Sequence, residues 1–171
     1  MEYRCFYETS DDFDSIMMSS DGIYLTGLWF VNSSDSLKHG DVYEFADLDI
    51  FKETSRWLDI YFSGSIPDFV PPYKIDTTFF RQKVIDIMNN IKYGEVITYG
   101  DIASEIAFSR NINKMSSKAV GGAVGANPIC IIIPCHRVVG KNHRLVGYGG
   151  GLKNKIALLR LEGIDISKYK E

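Results

Sequence analysis

The chain has 171 residues, 45% hydrophobic and 24% charged, with a net charge of −3. That is enough apolar material for one large core or two small ones, but no apolar run approaches the roughly 20 residues that a bilayer span needs. Three cysteines are too few for a disulfide framework, and Met1-Glu2-Tyr3-Arg4-Cys5 lacks the basic and apolar regions of a secretion signal, so a reducing, cytoplasmic setting is expected.

The modest net charge hides an asymmetry. Residues 1–76 carry 5 Lys or Arg against 15 Asp or Glu, whereas residues 77–171 carry 14 against 7. The second part therefore has the positive character that suits an anionic partner, because clustered Lys and Arg neutralise phosphates and release counterions. Two solvated faces of opposite sign are the plainer alternative.

In chain order, Gly22 to Val31 (Gly-Ile-Tyr-Leu-Thr-Gly-Leu-Trp-Phe-Val) reads as one strand or a two-strand hairpin, followed by a loop at Asn32–Ser36. Between Asp47 and Phe62, apolar residues at Leu48, Phe51, Trp57, Leu58, Tyr61 and Phe62 follow helical spacing. Ser63 to Pro72 holds three of the five prolines and reads as an extended linker, which puts a domain boundary at residues 76/77.

Beyond it, Thr77 or Thr78 caps a helix whose apolar face is Phe79, Phe80, Val84, Ile87, Met88 and Ile91. Thr98 caps a second helix, Tyr99 to Ala107. After a polar connection, Ser116 or Ser117 caps a third, Lys118-Ala119-Val120-Gly121-Gly122-Ala123-Val124-Gly125-Ala126, which has almost no large side chain. Glycine in a helix costs roughly 1 kcal/mol against alanine, so this composition implies that another backbone approaches closely. That partner is either a neighbouring helix or a nucleic-acid groove, and the last two helices make a plausible helix-turn-helix. A strand at Ile129–Ile133 is then expected, followed by a glycine-rich loop, Gly147 to Gly151, and a last helix from Lys153 to Glu162.

The chemistry concentrates at Pro134-Cys135-His136, immediately after the apolar run Ile129 to Ile133. A thiol is a nucleophile only as thiolate; burial silences it and an adjacent imidazole activates it. Two other readings of the pair exist. Zinc held by Cys130, Cys135, His136 and His143 is disfavoured because an odd separation puts Cys130 and Cys135 on opposite faces of a continuous strand. A purely structural cysteine is the common fate of a free thiol, but strand, proline break, Cys-His, glycine loop and basic helix together make a shaped pocket.

Pro134-Cys135-His136-Arg137-Val138, preceded by Asn127-Pro128 and followed by Tyr148-Gly149-Gly150-Gly151-Leu152, resembles the active-site signature of the O6-alkylguanine-DNA alkyltransferases, the methylated-DNA–protein-cysteine methyltransferases. The resemblance extends over Tyr93 to Ala103 and Ala119 to Ala123; the first half agrees only in length and layout. It implies a ribonuclease-H-like α/β N-terminal domain and a mainly α C-terminal domain with a winged helix-turn-helix. It further implies that Cys135 takes the alkyl group from O6 of a flipped guanine, or from O4 of thymine, and keeps it, so that each molecule acts once. The expected partner is double-stranded DNA containing O6-alkylguanine, the expected state a monomer, and neither a cofactor nor a metal is implied. Metal-site carry-over from the first half of some members fails, since Cys5 and His39 are its only cysteine and histidine.

By the same resemblance His136 is the base acting on Cys135 through a water, Glu162 orients His136, Asn127 braces the cysteine turn, and Tyr99 helps to rotate the nucleotide and donates a hydrogen bond to guanine. Val138, Tyr148, Gly149 and Gly150 would hold the base. Lys118, Ala119, Gly121, Gly122, Ala126, Arg137 and Lys141 would face DNA. Two departures stand out. Lys118 replaces the arginine that fills the vacated base stack in most members, and lysine has no planar group. Gly149 replaces a serine found in some members. Competing classes are a lesion sensor without chemistry, against which the retained Cys135 argues, and a papain-like hydrolase that turns over.

Overall fold

The computed structural model describes residues 1–171. Its N-terminal half is α/β. Strands β1 (Tyr3–Tyr7), β2 (Ile16–Ser20) and β3 (Leu25–Phe30) form an antiparallel meander, and β4 (Glu44–Phe45) adds in parallel to the outer edge of β1, giving the order β3-β2-β1-β4. The segment expected as one strand or a hairpin within Gly22–Val31 is a single strand, β3, and its hairpin partner is Ile16-Met17-Met18-Ser19-Ser20. Every residue of β2 is buried, so it shows none of the alternation by which a half-exposed strand announces itself.

Helix α1 (Asp49–Phe62) packs across this sheet through Ile50, Phe51, Trp57, Leu58 and Tyr61. It has no side-chain N-cap, so burial of that apolar stripe holds it in place. The proline-rich stretch that follows is not a free tether. Leu25 N–H donates to Pro72 O and Lys74 N–H to Leu25 O, both at 2.9 Å, so the chain runs along the β3 edge before it enters the second half.

That half is helical. Helix α2 (Phe79–Asn89) is capped by Thr78, whose hydroxyl accepts from Arg81 N–H. Helix α3 (Tyr99–Ser109) begins with a reciprocal capping box between Thr98 and Asp101. Helix α4 (Ser117–Gly125) is capped by Ser116 and packs on α2 and α3 through Val120, Ala123 and Val124. A two-residue parallel pairing of β5 (Ile97–Thr98) with β6 (Val138–Val139) sits beside them, and α5 (Leu152–Leu161) closes the fold.

The two halves share one core. A continuous cluster of 28 buried residues runs from Ile16 and Phe30 through Tyr61 and Met88 to Ile133 and Leu158. The join is a backbone pairing: Leu28 N–H donates to Pro128 O and Cys130 N–H to Leu28 O, each at 2.9 Å. The segment leading into the cysteine turn is thus hung on the edge of the N-terminal sheet.

Candidate active site

The segment expected as a strand at Ile129–Ile133 is a turn. Only Ile129 bridges to a neighbour, and Ile131 adopts φ 67°, a left-handed conformation that a β-branched residue rarely takes. An apolar run this buried looks like a core strand in sequence, yet its hydrophobicity serves to bury a tight loop. Asn127 closes that loop: its carbonyl oxygen accepts from Ile129 N–H at 3.0 Å and its amide donates to Ile133 O at 3.1 Å. The expected brace is present, and it holds a strained backbone directly before the cysteine.

Cys135 opens a short 3₁₀ turn, Cys135–Arg137, with 7% of its surface exposed. Burial pushes its thiol up, and the Asn127 side chain pulls it partly back by favouring the thiolate. His136 is wholly buried, and burial keeps the imidazole below its ordinary pKa despite the adjacent carboxylate. Its Nε2 lies 2.7 Å from Glu162 Oε1, while Nδ1 is buried without a protein partner. Glu162 therefore fixes which imidazole nitrogen remains for chemistry. The resting pair is a protonated thiol beside a neutral imidazole.

Glu162 is the most heavily held group of the site. Burial alone would raise its carboxyl, but the His136 and Arg137 contacts outweigh that and hold it well below the usual carboxylate range. Tyr61 O–H donates to Oε1 at 2.7 Å, and Gly94 N–H donates to Oε2 at 3.1 Å. Arg137, expected at the DNA surface, instead turns inward. It donates to both Glu162 oxygens and through Nη1 to Ile91 O at 2.6 Å, so its charge is spent neutralising a buried carboxylate.

Two buried polar groups near the site were not marked in the sequence. Tyr61 comes from α1, so the N-terminal half reaches the His136–Glu162 pair directly. Lys155 is a fully buried lysine whose Nζ donates to Val138 O at 2.7 Å; burial lowers its pKa to about 8. A helical lysine at that spacing reads as a solvated face, and nothing local marks it otherwise.

The positions expected to hold the base lie near Cys135. Tyr148, Gly149 and Val124 line its small cavity, Val138 is buried beneath, and Gly150 is a glycine because a Cβ there would meet the folded-back Tyr148 ring. Next to it lies an open groove of roughly 720 Å³ lined by Tyr99, Gly121, Lys118, Lys141, Ser117 and Val146 among others. Tyr99 O–H donates to Val146 O at 3.3 Å, and burial pushes the phenol up to about 12. Lys118, Ala119 and Gly122 are exposed on the outer face of α4, while Ala126 is half-buried at its C-terminal end. A Cβ added at Gly122 or Gly125 would meet nothing within 4 Å. No neighbouring helix explains those two glycines.

Comparison with known proteins agrees with this geometry. The sequence model for the DNA-binding domain of 6-O-methylguanine DNA methyltransferase matches residues 79–164. The methylated-DNA–protein-cysteine methyltransferase of Methanosarcina acetivorans is 41% identical over 139 residues, covering 80% of this chain and 86% of that protein. The Haemophilus influenzae protein of the same name is 44% identical over 119 residues, 69% of this chain, and the match spans just under two thirds of that protein, 64%. Among solved structures, Mycobacterium tuberculosis OGT in complex with DNA superposes with a TM-score of 0.80 at 32% identity, covering 98% of this chain and 94% of that one. The M. tuberculosis O6-methylguanine methyltransferase gives 0.77 at 33% identity, over 95% and 93%. The chain belongs to the methylated-DNA–protein-cysteine methyltransferase family.

Proposed function

We propose that this protein repairs alkylated DNA by moving the alkyl group from O6 of guanine, or from O4 of thymine, onto its own Cys135, once per molecule. The observation that carries this reading is the buried sequence of groups Cys135, His136, Glu162, Arg137, set beside a groove whose walls are Tyr99, Lys118, Gly121 and Lys141. Nucleophile, base and orienter follow the logic of a hydrolase triad, here used for displacement at carbon.

The thiol proton passes through a water to the free Nδ1 of His136, whose cationic form Glu162 stabilises. The thiolate forms the S–C bond as the C–O6 bond breaks, and guanine leaves as an anion that recovers the proton, assisted by a hydrogen bond from Tyr99. A thioether has no easy leaving group, so the chain is consumed. Neutral resting groups suit this scheme, because burial disfavours a standing thiolate–imidazolium pair and charge separates only as the thiol is consumed.

Docking of α4 in the minor groove of double-stranded DNA accounts for its bare outer face, with Lys118 entering the space left by the flipped base and Lys141 contacting phosphate. Arg137, committed to Glu162, is not assigned to this role. The α3–α4 pair with the β5–β6 pairing supports a winged helix-turn-helix in residues 77–171, and the order β3-β2-β1-β4 with α1 supports a ribonuclease-H-like layout in residues 1–76. No helix is long and apolar enough to cross a membrane, and a cytoplasmic monomer acting without cofactor is the simplest form of the proposal. The test is Cys135→Ala: it should bind a duplex carrying O6-methylguanine and leave the lesion intact, and restoration of guanine by this variant would refute the assignment.

A further inference from the structure

Gly149 is a glycine for a reason outside its own backbone. It does not adopt a left-handed conformation, yet a Cβ at this position would run into the carboxylate of Asp35, from the N-terminal half. Asp35 belongs to the 3₁₀ turn Ser34–Lys38, which lies on the glycine loop: Asp35 N–H donates to Gly149 O at 3.2 Å and Ser34 Oγ to the same oxygen at 3.0 Å. Asp35 is 4% exposed, and its Oδ1 is paired in charge with Lys38 Nζ at 2.5 Å without receiving a directed hydrogen bond. Lys38 Nζ in turn donates to Asn127 O at 3.1 Å, which ties the pair to the brace of the cysteine turn.

Asp35, Lys38, Val124, Cys135, Tyr148 and Gly149 together line a cavity of only about 10 Å³, room for about one water. A purine cannot enter unless one wall moves. The 34–38 turn closes one side of this cavity through Asp35 and Lys38, while Leu37 on its outer side is 86% exposed. Resting on the alkyl-transfer reading above, we infer that Asp35 and Lys38 form the wall of the base pocket in place of a side chain at position 149, and that this wall limits the size of the O6-substituent presented to Cys135. The N-terminal half thereby contributes selectivity as well as support.

The test is a double-mutant cycle on single-turnover transfer, read by intact mass. Two donors are used: a duplex containing O6-methylguanine, and O6-benzylguanine as the free base, which needs no DNA docking. Asp35→Ala should raise the benzyl-to-methyl rate ratio by about tenfold, the scale of selectivity that pocket size commonly supplies. Gly149→Ser should slow both donors by about tenfold in the unaltered chain and by no more than about threefold in the Asp35→Ala background, because coupled neighbours are non-additive. An unchanged ratio in Asp35→Ala, or the same Gly149→Ser loss in both backgrounds, overturns the wall. Should Gly149→Ser fail to fold, the Asp35→Ala ratio decides alone. Absence of any transfer from methylated duplex to the unaltered chain overturns the alkyl-transfer reading instead.

Discussion

The Arg137 guanidinium grips Glu162 with two nitrogens, Nε to Oε2 at 2.9 Å and Nη2 to Oε1 at 3.0 Å, while Glu162 holds His136 Nε2 at 2.7 Å. Removing one partner of a buried ion pair strands the other charge, at a cost of about 3–5 kcal/mol. Arg137→Ala should therefore lower stability by that order in denaturant unfolding and slow transfer, while the salt dependence of duplex binding stays as it was. Arg137→Lys should recover little of the rate, since an ammonium cannot engage both oxygens. A fall in the salt slope without a stability loss would return Arg137 to the DNA surface.

His136 is held neutral by burial, below the ordinary histidine value, although Glu162 pulls the other way. The base is then competent at pH values where a free imidazole would already be protonated. Single-turnover rates should remain flat as pH falls through 6.5, and a midpoint at that value would show that the imidazole is not sheltered. The stability linkage has the same sign. Because the folded pKa is depressed, the unfolded chain binds the extra proton first, and stability falls as pH drops below the unfolded value.

The wholly buried Lys155 titrates near 8 against 10.5 for a free lysine. Between those values the unfolded chain carries the proton and the folded chain has released it, so its contribution to stability rises with pH. Lys155→Met should remove a rise on the order of 2–4 kcal/mol between pH 8 and 10.5, seen as the difference between the two chains' unfolding curves. Parallel curves would place that ammonium in contact with solvent.

The outer face of α4 offers a cleaner separation of folding from binding. Gly122→Ala has open space around its new Cβ, so the fold should gain roughly 0.5–1 kcal/mol from helix propensity while affinity for duplex falls. Lys118→Ala should weaken duplex binding and reduce its salt slope by about 1, whereas Lys118→Arg should speed transfer by supplying a planar group to the base stack. Undiminished affinity in Gly122→Ala would remove α4 from the interface.

Much of this was legible in the residue order, and the failures share a cause. Thr78, Thr98 and Ser116 cap the helices that their spacing predicts, and α1 begins within two residues of the expected Asp47, because caps and amphipathic periods are local signals. Cys135 and His136 were readable from one contiguous string, and Asn127 and Glu162 only through family resemblance. Tyr61, Asp35, Lys38 and Lys155 were not, since each reaches the site across the tertiary fold. The turn at Ile129–Ile133 misled for another reason: uniform burial erases the alternation that separates a strand from a packed loop, and only the left-handed Ile131 reveals it. Arg137 was placed at the DNA face by family resemblance, whereas Glu162, its partner, lies 25 positions away.

The central claim is that one sulfur is alkylated irreversibly, and intact mass followed by peptide mapping tests it most directly. After incubation with excess duplex containing O6-methylguanine, each molecule should gain the mass of one methyl group, located on Cys135, and guanine should appear in equal amount and no more. Repeated turnover, or a gain of mass on any other residue, would contradict the account.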